Sequence, residues 1–207
     1  MDGVFMKFKR ALMFFAIVCA ALTVSAAALQ NSQNRFSDKL IRLHVVANSD
    51  DPSDQRLKLM VRDAVLSVTE PLLQGSEDPE KCLLDNLWVL QTTAEDCLRA
   101  NGCLNRVDVS LGMEEFPARD YDYFSLPAGY YKSLRITIGD GQGHNWWCVV
   151  FPSICMRSAS DFEAVAASGG LSEREINMIT GKSGKYVIRF KLLELLQRIQ
   201  TQIRAVK

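Results

Sequence analysis

Residues 40–47 read LIRLHVVA, and this stretch decides the fold class of the chain. Apolar residues occupy positions 41, 43, 45 and 47, while Arg42 and His44 lie between them. This alternation predicts a β-strand with one buried face. Asp51 and Pro52 then suit the cap and the first position of a helix, and apolar residues recur at helical spacing from Leu57 to Val68, which extends the helix to about Glu70. The sequence therefore predicts a strand followed directly by an amphipathic helix.

Further strands and helices follow this unit. Pro71 is expected to end the first helix, and Ser172-x-x-Glu175 is a capping box for a short one. Two apolar segments flank the glycine-rich residues 139–143, which predicts a hairpin. The elements predicted after residue 70 are a helix over 79–98, strands over 106–111, 131–138 and 145–151, a short helix near 172–179, a strand over 186–190 and a closing helix over 192–206. This order predicts an α+β fold in which helices pack on one side of a mainly antiparallel sheet, in a single domain over residues 40–207.

The N-terminal residues differ in composition from the rest of the chain. Lys7, Lys9 and Arg10 precede residues 11–29, which carry no charge and end in small side chains. This pattern is typical of a secretory signal peptide. An uncleaved membrane anchor is the alternative, because the uncharged segment reaches the lower end of a bilayer span of about 17–25 residues. We therefore expect a signal peptide or anchor over 1–28 and a linker over 29–39.

The charge balance limits the classes of partner. The chain has 24 Lys and Arg against 24 Asp and Glu, whereas a nucleic-acid-binding protein usually carries a basic surplus. No nucleic-acid partner is expected. Residues 182–207 contain seven basic residues and a single acidic one, Glu194. This indicates either a solvated helix face or a contact with an anionic membrane surface or an acidic partner.

Cysteines are the residues most open to interpretation. Neither the six cysteines nor the two histidines form a zinc-binding pattern, so we expect no metal and no cofactor. Cys148 and Cys155 flank a predicted bend and are candidates for a disulfide, which an exported compartment permits. Cys97 and Cys103 are a second candidate pair. Unbridged structural thiols are the alternative at all four positions.

Two functional hypotheses use these residues or the N-terminus. Cys148 as nucleophile, with His144 or a carboxylate as base, would make an exported cysteine-dependent cell-wall hydrolase. A disulfide at Cys148 would remove that nucleophile. A membrane-anchored structural module is the other hypothesis, and it depends on an uncleaved N-terminus.

Aromatic and charged residues between 115 and 151 provide a candidate contact surface. Adjacent Trp146 and Trp147 must point to opposite faces of their strand, so one enters the core and the other needs cover from a loop, a helix or a partner. For Arg42 and His44, an ion pair with an acidic residue on the strand surface is the simpler interpretation. Because Trp, Tyr and Arg are the usual anchors of interfaces, a recognition surface is the alternative. The candidate partner-binding residues are Arg42, His44, Asn48, Asp50, Arg119, Asp120, Tyr121, Trp146 and Trp147.

These segments together resemble a known family. Residues 41–50, with the sequence IRLHVVANSD, resemble the first signature of stage II sporulation protein R, continued by positions 54–55 and 57–66. The segments that resemble its second signature are 116–121, 126–129, 134–135, 138–139 and 143–152. Residues 185–191 with Glu194 resemble the closing strand and helix of the family.

The resemblance implies a function that the residues alone do not. Members of the family are exported by the forespore of endospore-forming bacteria into the space between the forespore and mother-cell membranes. There they trigger a membrane-embedded aspartic protease of the mother cell, which processes a sigma-factor precursor. The resemblance therefore implies a secreted signalling protein that is not an enzyme, with that protease as its partner.

Overall fold

The computed structural model describes residues 2–154 and 158–181. In chain order its elements are α1 (Asp2–Ser37), β1 (Ile41–Val46), α2 (Pro52–Leu73), α3 (Pro79–Asp85), α4 (Leu87–Ala100), β2 (Val107–Phe116), β3 (Arg119–Asp120), β4 (Ser125–Leu126), β5 (Gly129–Ile138), β6 (Asn145–Phe151), α5 (Ala159–Ser168) and α6 (Glu173–Ile179). Four strands form a sheet in the order β2-β5-β1-β6, while β3 and β4 form a two-stranded ribbon. Among the strand pairings of the described residues in this sheet, β1–β5 alone is parallel. The predicted α+β class with a mainly antiparallel sheet is confirmed.

The predicted hairpin of residues 131–138 and 145–151 is wrong. Strands β5 and β6 are separated by β1, which runs parallel to β5 and antiparallel to β6. The glycine-rich connection therefore crosses the end of β1 instead of making a tight turn. A Cβ atom at Gly139 would lie 2.1 Å from Asn48 Oδ1, and one at Gly143 would lie 2.2 Å from the Ser49 carbonyl oxygen. Glycine is needed at both positions because the connection packs so closely against the end of β1.

One face of the sheet packs against the long helices, as the alternation in β1 predicts. Leu43 and Val45 point to this side, which we call the helix face. The helices α2 and α4 cover it with apolar residues at helical spacing. The buried residues that these two helices contribute are Val61, Val65 and Leu73 from α2, and Leu90, Ala94 and Leu98 from α4.

The opposite side of the sheet, called here the His44 face, has its own apolar core. It is covered over part of its length by the end of α1, the β3–β4 ribbon, α5 and α6. The buried residues of this second core include Phe36, Leu40, Phe116, Phe124, Leu126, Tyr131, Val149, Phe162, Ile176 and Ile179. The remainder of the face, toward the carboxyl end of β1, carries polar side chains.

Most of the segment predicted as a linker, residues 29–39, is helical in the structure. Helix α1 continues to Ser37, and Phe36 is buried in the core of the His44 face. Gln33 Nε2 also donates a 2.7 Å hydrogen bond to the carbonyl oxygen of Ala128. The last turns of α1 are therefore part of the folded domain.

Three helical segments differ from the sequence predictions. Pro71 lies inside α2, which ends at Leu73, and the burial of Leu73 in the core of the helix face offsets the hydrogen bond that the proline removes. The helix predicted over 79–98 is two helices that meet at Asn86. A helix, α5, also forms between the strand predicted over 145–151 and the short helix predicted near 172–179, where no element was predicted. The capping box at Ser172 and Glu175 is confirmed.

Some predictions concern residues outside the described ranges. These are the closing strand and helix, the basic stretch 182–207 and Cys155, and with it the Cys148–Cys155 disulfide. None of the described helices combines the length and the apolar composition needed to cross a membrane.

Candidate functional site

Polar and aromatic side chains gather on the His44 face, where the strands bring them to the same level. The β1–β5 register places Ser133 beside Arg42, and Arg135 beside His44. On the other side of β1, Trp147 stands beside His44. Because the strands are in register, side chains far apart in sequence form one continuous row.

His44 is fixed by contacts on its edges and on its ring face. Its Nδ1 lies 2.9 Å from Glu114 Oε1, and its Nε2 lies 2.9 Å from Asn145 Oδ1. The imidazole stacks on the indole of Trp147, with ring centroids 3.9 Å apart. The predicted pairing with an acidic residue is confirmed, but His44 is buried in the sheet and not on its surface.

Glu114 is the centre of the polar network. In addition to the contact with His44, its carboxylate accepts a 2.7 Å hydrogen bond from Ser133 Oγ and a 2.5 Å bond from Arg135 Nη1. Burial alone would raise the pKa of Glu114, but the Ser133 hydrogen bond and the charges of His44 and Arg135 outweigh it, so the pKa lies below its usual value. The carboxylate is therefore ionised at neutral pH and holds three neighbours in place.

Arg42 is a fully buried cation beside aromatic rings. Its Nη2 donates a 2.7 Å hydrogen bond to Tyr121 Oη, and its guanidinium lies 4.1 Å from the ring centre of Phe116 and 5.0 Å from that of Tyr131. Its Nε and Nη1 have no hydrogen-bond partner among the described residues. Burial raises the pKa of Tyr131 to about 12, with Arg42 acting in the opposite direction, so this phenol stays neutral. The guanidinium of Arg42 is therefore stabilised by cation–π contacts with the rings of Phe116 and Tyr131, whereas a buried arginine is usually paired with a carboxylate.

The two adjacent tryptophans point to opposite faces, as predicted. Trp147 lies on the His44 face against Phe116, and the guanidinium of Arg119 lies 6.0 Å above its ring. Trp146 packs on the helix face, where the guanidinium of Arg62 lies 4.4 Å from its ring. The loop around Arg119 therefore covers part of Trp147.

A separate polar cluster closes the carboxyl end of β1. Asp54 accepts hydrogen bonds from Asn48 Nδ2 at 2.8 Å and from Ser49 Oγ at 2.7 Å, and these two bonds lower its pKa. Asp50 accepts a 2.7 Å bond from the backbone amide of His144 and a short one from its ring, and these contacts lower the pKa of Asp50. This cluster holds the connection between β5 and β6 against the start of α2.

The geometry does not support Cys148 and His144 as a nucleophile and base. Cys148 is buried in the core of the helix face. The His144 side chain is 76% exposed and is bound to Asp50 instead. Cys97 and Cys103 are free thiols, so they do not form the second candidate disulfide.

The structure divides the candidate partner-binding residues into groups. Five of them meet on the His44 face: Arg42, His44, Arg119, Tyr121 and Trp147. Asn48 and Asp50 belong to the cluster at the end of β1, and Trp146 lies behind the sheet. Asp120 is exposed on the β3–β4 ribbon.

Sequence reasoning missed the residues that complete the network. Glu114 lies beyond the end of the strand predicted over 106–111, and Ser133 and Arg135 lie in a strand whose neighbours were predicted incorrectly. The alternation of Tyr131, Ser133 and Arg135 along β5 was the available signal, because it places all three on one face. That signal does not say which strand supplies their partners.

Within residues 2–154 and 158–181, no three His, Cys, Asp or Glu side chains are grouped so that they could hold a metal ion. The described residues thus define a small α+β domain whose polar site is a network of ion pairs and stacked rings on one sheet face. A domain of this class is suited to recognition, since charged and aromatic groups are held rigidly at a partly open surface.

Comparison with known proteins gives the family. The profile of the stage II sporulation protein R family matches residues 37–161. Stage II sporulation protein R of Bacillus subtilis (strain 168) is 31% identical over 179 residues, which cover 82% of this chain and 80% of that protein. No solved structure matches. The chain belongs to the stage II sporulation protein R family, and its role lies in sporulation.

Proposed function

We propose that this protein is a secreted signal of endospore formation that activates a membrane-embedded aspartic protease of the mother cell. The protease in turn processes a sigma-factor precursor. In this proposal the forespore exports the chain, residues 1–28 serve as signal peptide or anchor, and the domain acts in the space between the two membranes. Family membership supports the sporulation role, and the geometry of the His44 face supports recognition as the activity.

The observation that carries the proposal is the arrangement around Arg119. Arg119 and Asp120 are exposed charges on the β3–β4 ribbon, and the Arg119 guanidinium lies 6.0 Å from the ring centre of Trp147, which stacks on His44. At the edge of the imidazole, Glu114 Oε1 lies 2.9 Å from His44 Nδ1. The exposed charges are therefore held on a rigid base, as expected for a contact surface.

The same network argues for binding over catalysis. The imidazole of His44 is occupied at both nitrogens, and the carboxylate of Glu114 is occupied at both oxygens. Groups held in this way orient one another, and a general base would need a free lone pair facing a substrate. We therefore assign this network a positioning role.

The experiment is replacement of Arg119 and Asp120 together by alanine in a sporulating host that lacks its own family member. We expect loss of sigma-factor processing, with normal secretion and an unchanged melting temperature. Folding should survive because the Arg119 contact with Trp147 is at the outer limit of a cation–π interaction and is worth at most about 0.5–1 kcal/mol at an exposed site.

A matched control removes another exposed pair of opposite charges. Asp96 and Arg99 form such a pair on α4, away from the His44 face. Their double alanine variant should process the precursor normally. Normal processing by the Arg119–Asp120 variant, or equal loss in both variants, would contradict the proposed contact surface.

A further inference from the structure

Arg42 is a buried cation whose presence core stability does not explain. The side chain is fully buried, and in the described part of the chain its Nε and Nη1 donate no hydrogen bond. Burying a charge without a carboxylate partner costs free energy, and two unmade hydrogen bonds add to that cost. The cation–π contacts with Phe116 and Tyr131 offset only part of it, because the same rings would also pack against an apolar side chain.

The hydrogen bond that Arg42 does make leads to the β3–β4 ribbon. Its Nη2 donates to Tyr121 Oη at 2.7 Å. Tyr121 directly follows Asp120, the last residue of β3, and its backbone amide donates a 2.8 Å hydrogen bond to the carbonyl oxygen of Phe124. That backbone bond closes the turn between β3 and β4. The buried guanidinium is therefore joined, through a single side chain, to the turn of the ribbon.

The ribbon is too short to fix its own conformation. Each of its strands has two residues, Arg119–Asp120 and Ser125–Leu126, and even a longer isolated hairpin is only marginally stable in water. The position of the exposed Arg119 and Asp120 side chains therefore depends on how the ribbon is attached to the rest of the domain.

Two kinds of contact attach the ribbon. Phe124 and Leu126 are buried in the core of the His44 face, and this apolar packing is favourable but not directional. The bond from Arg42 to Tyr121 is directional, because a hydrogen bond weakens steeply when its angle changes. The Tyr121 ring also stacks on Phe124, with ring centroids 4.6 Å apart. A constraint on the Tyr121 hydroxyl is therefore passed to both sides of the turn.

We propose that Arg42 is a positioning residue, whose buried charge holds Tyr121 and, through Tyr121, the ribbon that presents Arg119 and Asp120. Arg42 does not itself touch a partner, because it is fully buried. This inference rests on the proposed function, in which Arg119 and Asp120 form the contact surface, and it adds the residue that keeps this surface in place. The domain thus keeps a charge that costs stability because the charge orders the contact surface.

Two single variants of the purified full-length chain separate positioning from stability. Arg42→Met removes the charge and the unpaired donors, and methionine packs well against aromatic rings, so the melting temperature should equal or exceed that of the parent. Tyr121→Phe keeps the stacked ring but removes the acceptor of Arg42, which should lower the melting temperature by about 3–10 °C. The double variant removes both groups, and its melting temperature should match that of Arg42→Met.

Hydrogen exchange of the backbone amide of residue 121 reports on the turn itself. Loss of a hydrogen bond to a charged group shifts an equilibrium by about tenfold or more, so this amide should exchange about tenfold faster in both single variants and in the double variant. A residue that only stabilised the core would not change exchange in the same direction while melting temperatures moved in opposite directions. Tyr123→Phe is the matched control, because it removes the hydroxyl of a 48% exposed tyrosine in the same turn, and it should leave both measurements unchanged.

Sigma-factor processing in the sporulating host connects the turn to the contact surface. Both single variants should process the precursor about tenfold less than the parent, although Arg42→Met is at least as stable. Normal processing by Arg42→Met, combined with loss of processing in the Arg119 and Asp120 double alanine variant, would overturn the positioning role and leave the proposed function standing.

The measurements on the purified chain decide the proposal even if the contact surface is wrong. Normal processing by the Arg119 and Asp120 double alanine variant would contradict the proposed function, while exchange and melting would still show whether Arg42 holds the ribbon. Unchanged exchange of the residue 121 amide in Arg42→Met would overturn the proposal. A fall in the melting temperature of Arg42→Met as large as that of Tyr121→Phe would also overturn it, because Arg42 would then be a stabilising core residue.

Discussion

Replacement of Glu114 by glutamine tests the network on the His44 face most directly. Glutamine has the shape of glutamate, and its amide can keep contacts with His44, Ser133 and Arg135 while losing the negative charge. The Glu114 side chain is only 21% exposed, so its charge is weakly screened by water. We expect the protein to fold, with a lower free energy of unfolding.

The magnitude follows from the three hydrogen bonds that Glu114 accepts. A bond to a charged group contributes about 1.5–3 kcal/mol and a neutral one about 0.5–1.5 kcal/mol, so each bond weakens by about 1 kcal/mol. The Arg135 side chain is 41% exposed, and its share falls to about 0.5 kcal/mol because water screens the pair. Glu114→Gln should therefore lower the free energy of unfolding by about 2–3 kcal/mol at neutral pH.

The loss of unfolding free energy caused by Glu114→Gln should become smaller at acid pH. The pKa of Glu114 in the folded protein lies below the usual value of 4.5, which describes the unfolded chain. Its stabilisation is therefore complete above pH 4.5 and is lost as the pH falls through the folded-state pKa. The difference between the parent and Glu114→Gln should be constant near neutrality and shrink below pH 4.5.

Urea unfolding followed by tryptophan fluorescence measures this difference. Glu115→Gln is the matched control, because Glu115 is adjacent, exposed and on the opposite face of β2. The control should change the free energy of unfolding by less than about 0.5 kcal/mol. Equal effects of the two variants, or a Glu114→Gln difference that persists unchanged at acid pH, would refute the reasoning.

Two further predictions concern the connection across β1 and the end of α1. Gly143→Ala should lower the free energy of unfolding by about 1–3 kcal/mol, because the new Cβ would collide with the Ser49 carbonyl oxygen, whereas Gly112→Ala, with open space around it, should change it by less than about 1 kcal/mol. Phe36→Ala should cost about 3–5 kcal/mol because it removes a buried ring, and the exposed Arg35→Ala should cost less than about 0.5 kcal/mol. Urea midpoints compare each pair, and equal shifts within a pair would show that the packing described for that residue is incorrect.

Local patterns were enough to predict most individual elements. The alternation in residues 40–47 predicted β1, and Asp51 with Pro52 predicted the start of α2. The capping box predicted the start of α6, because it depends only on residues three positions apart. The end of α2 was predicted less well, because the core packing of Leu73 offsets the cost of Pro71, and that packing is not encoded in the local sequence.

The sequence predicted several residues of the candidate contact surface, but it did not predict all of the partners that they meet in the structure. Arg42, His44 and Trp147 were singled out because charged and aromatic residues in a strand need partners, and all three lie against the ring of Phe116. Glu114 was missed because it comes from β2, which does not pair with β1 at all. Its side chain reaches His44 across β5, a relation that no spacing in the sequence encodes.

The sequence by itself determined the class of the fold, the two faces of β1 and the membership of the sporulation family, because each depends on local periodicity or on ordered motifs. Only the tertiary structure decided that β1 lies between β5 and β6, that the end of α1 is part of the core, and that Glu114 joins His44 to Arg135. The physical reason is that an apolar strand face can be buried against many neighbours with similar local energy. The choice among them depends on the simultaneous packing of the whole chain.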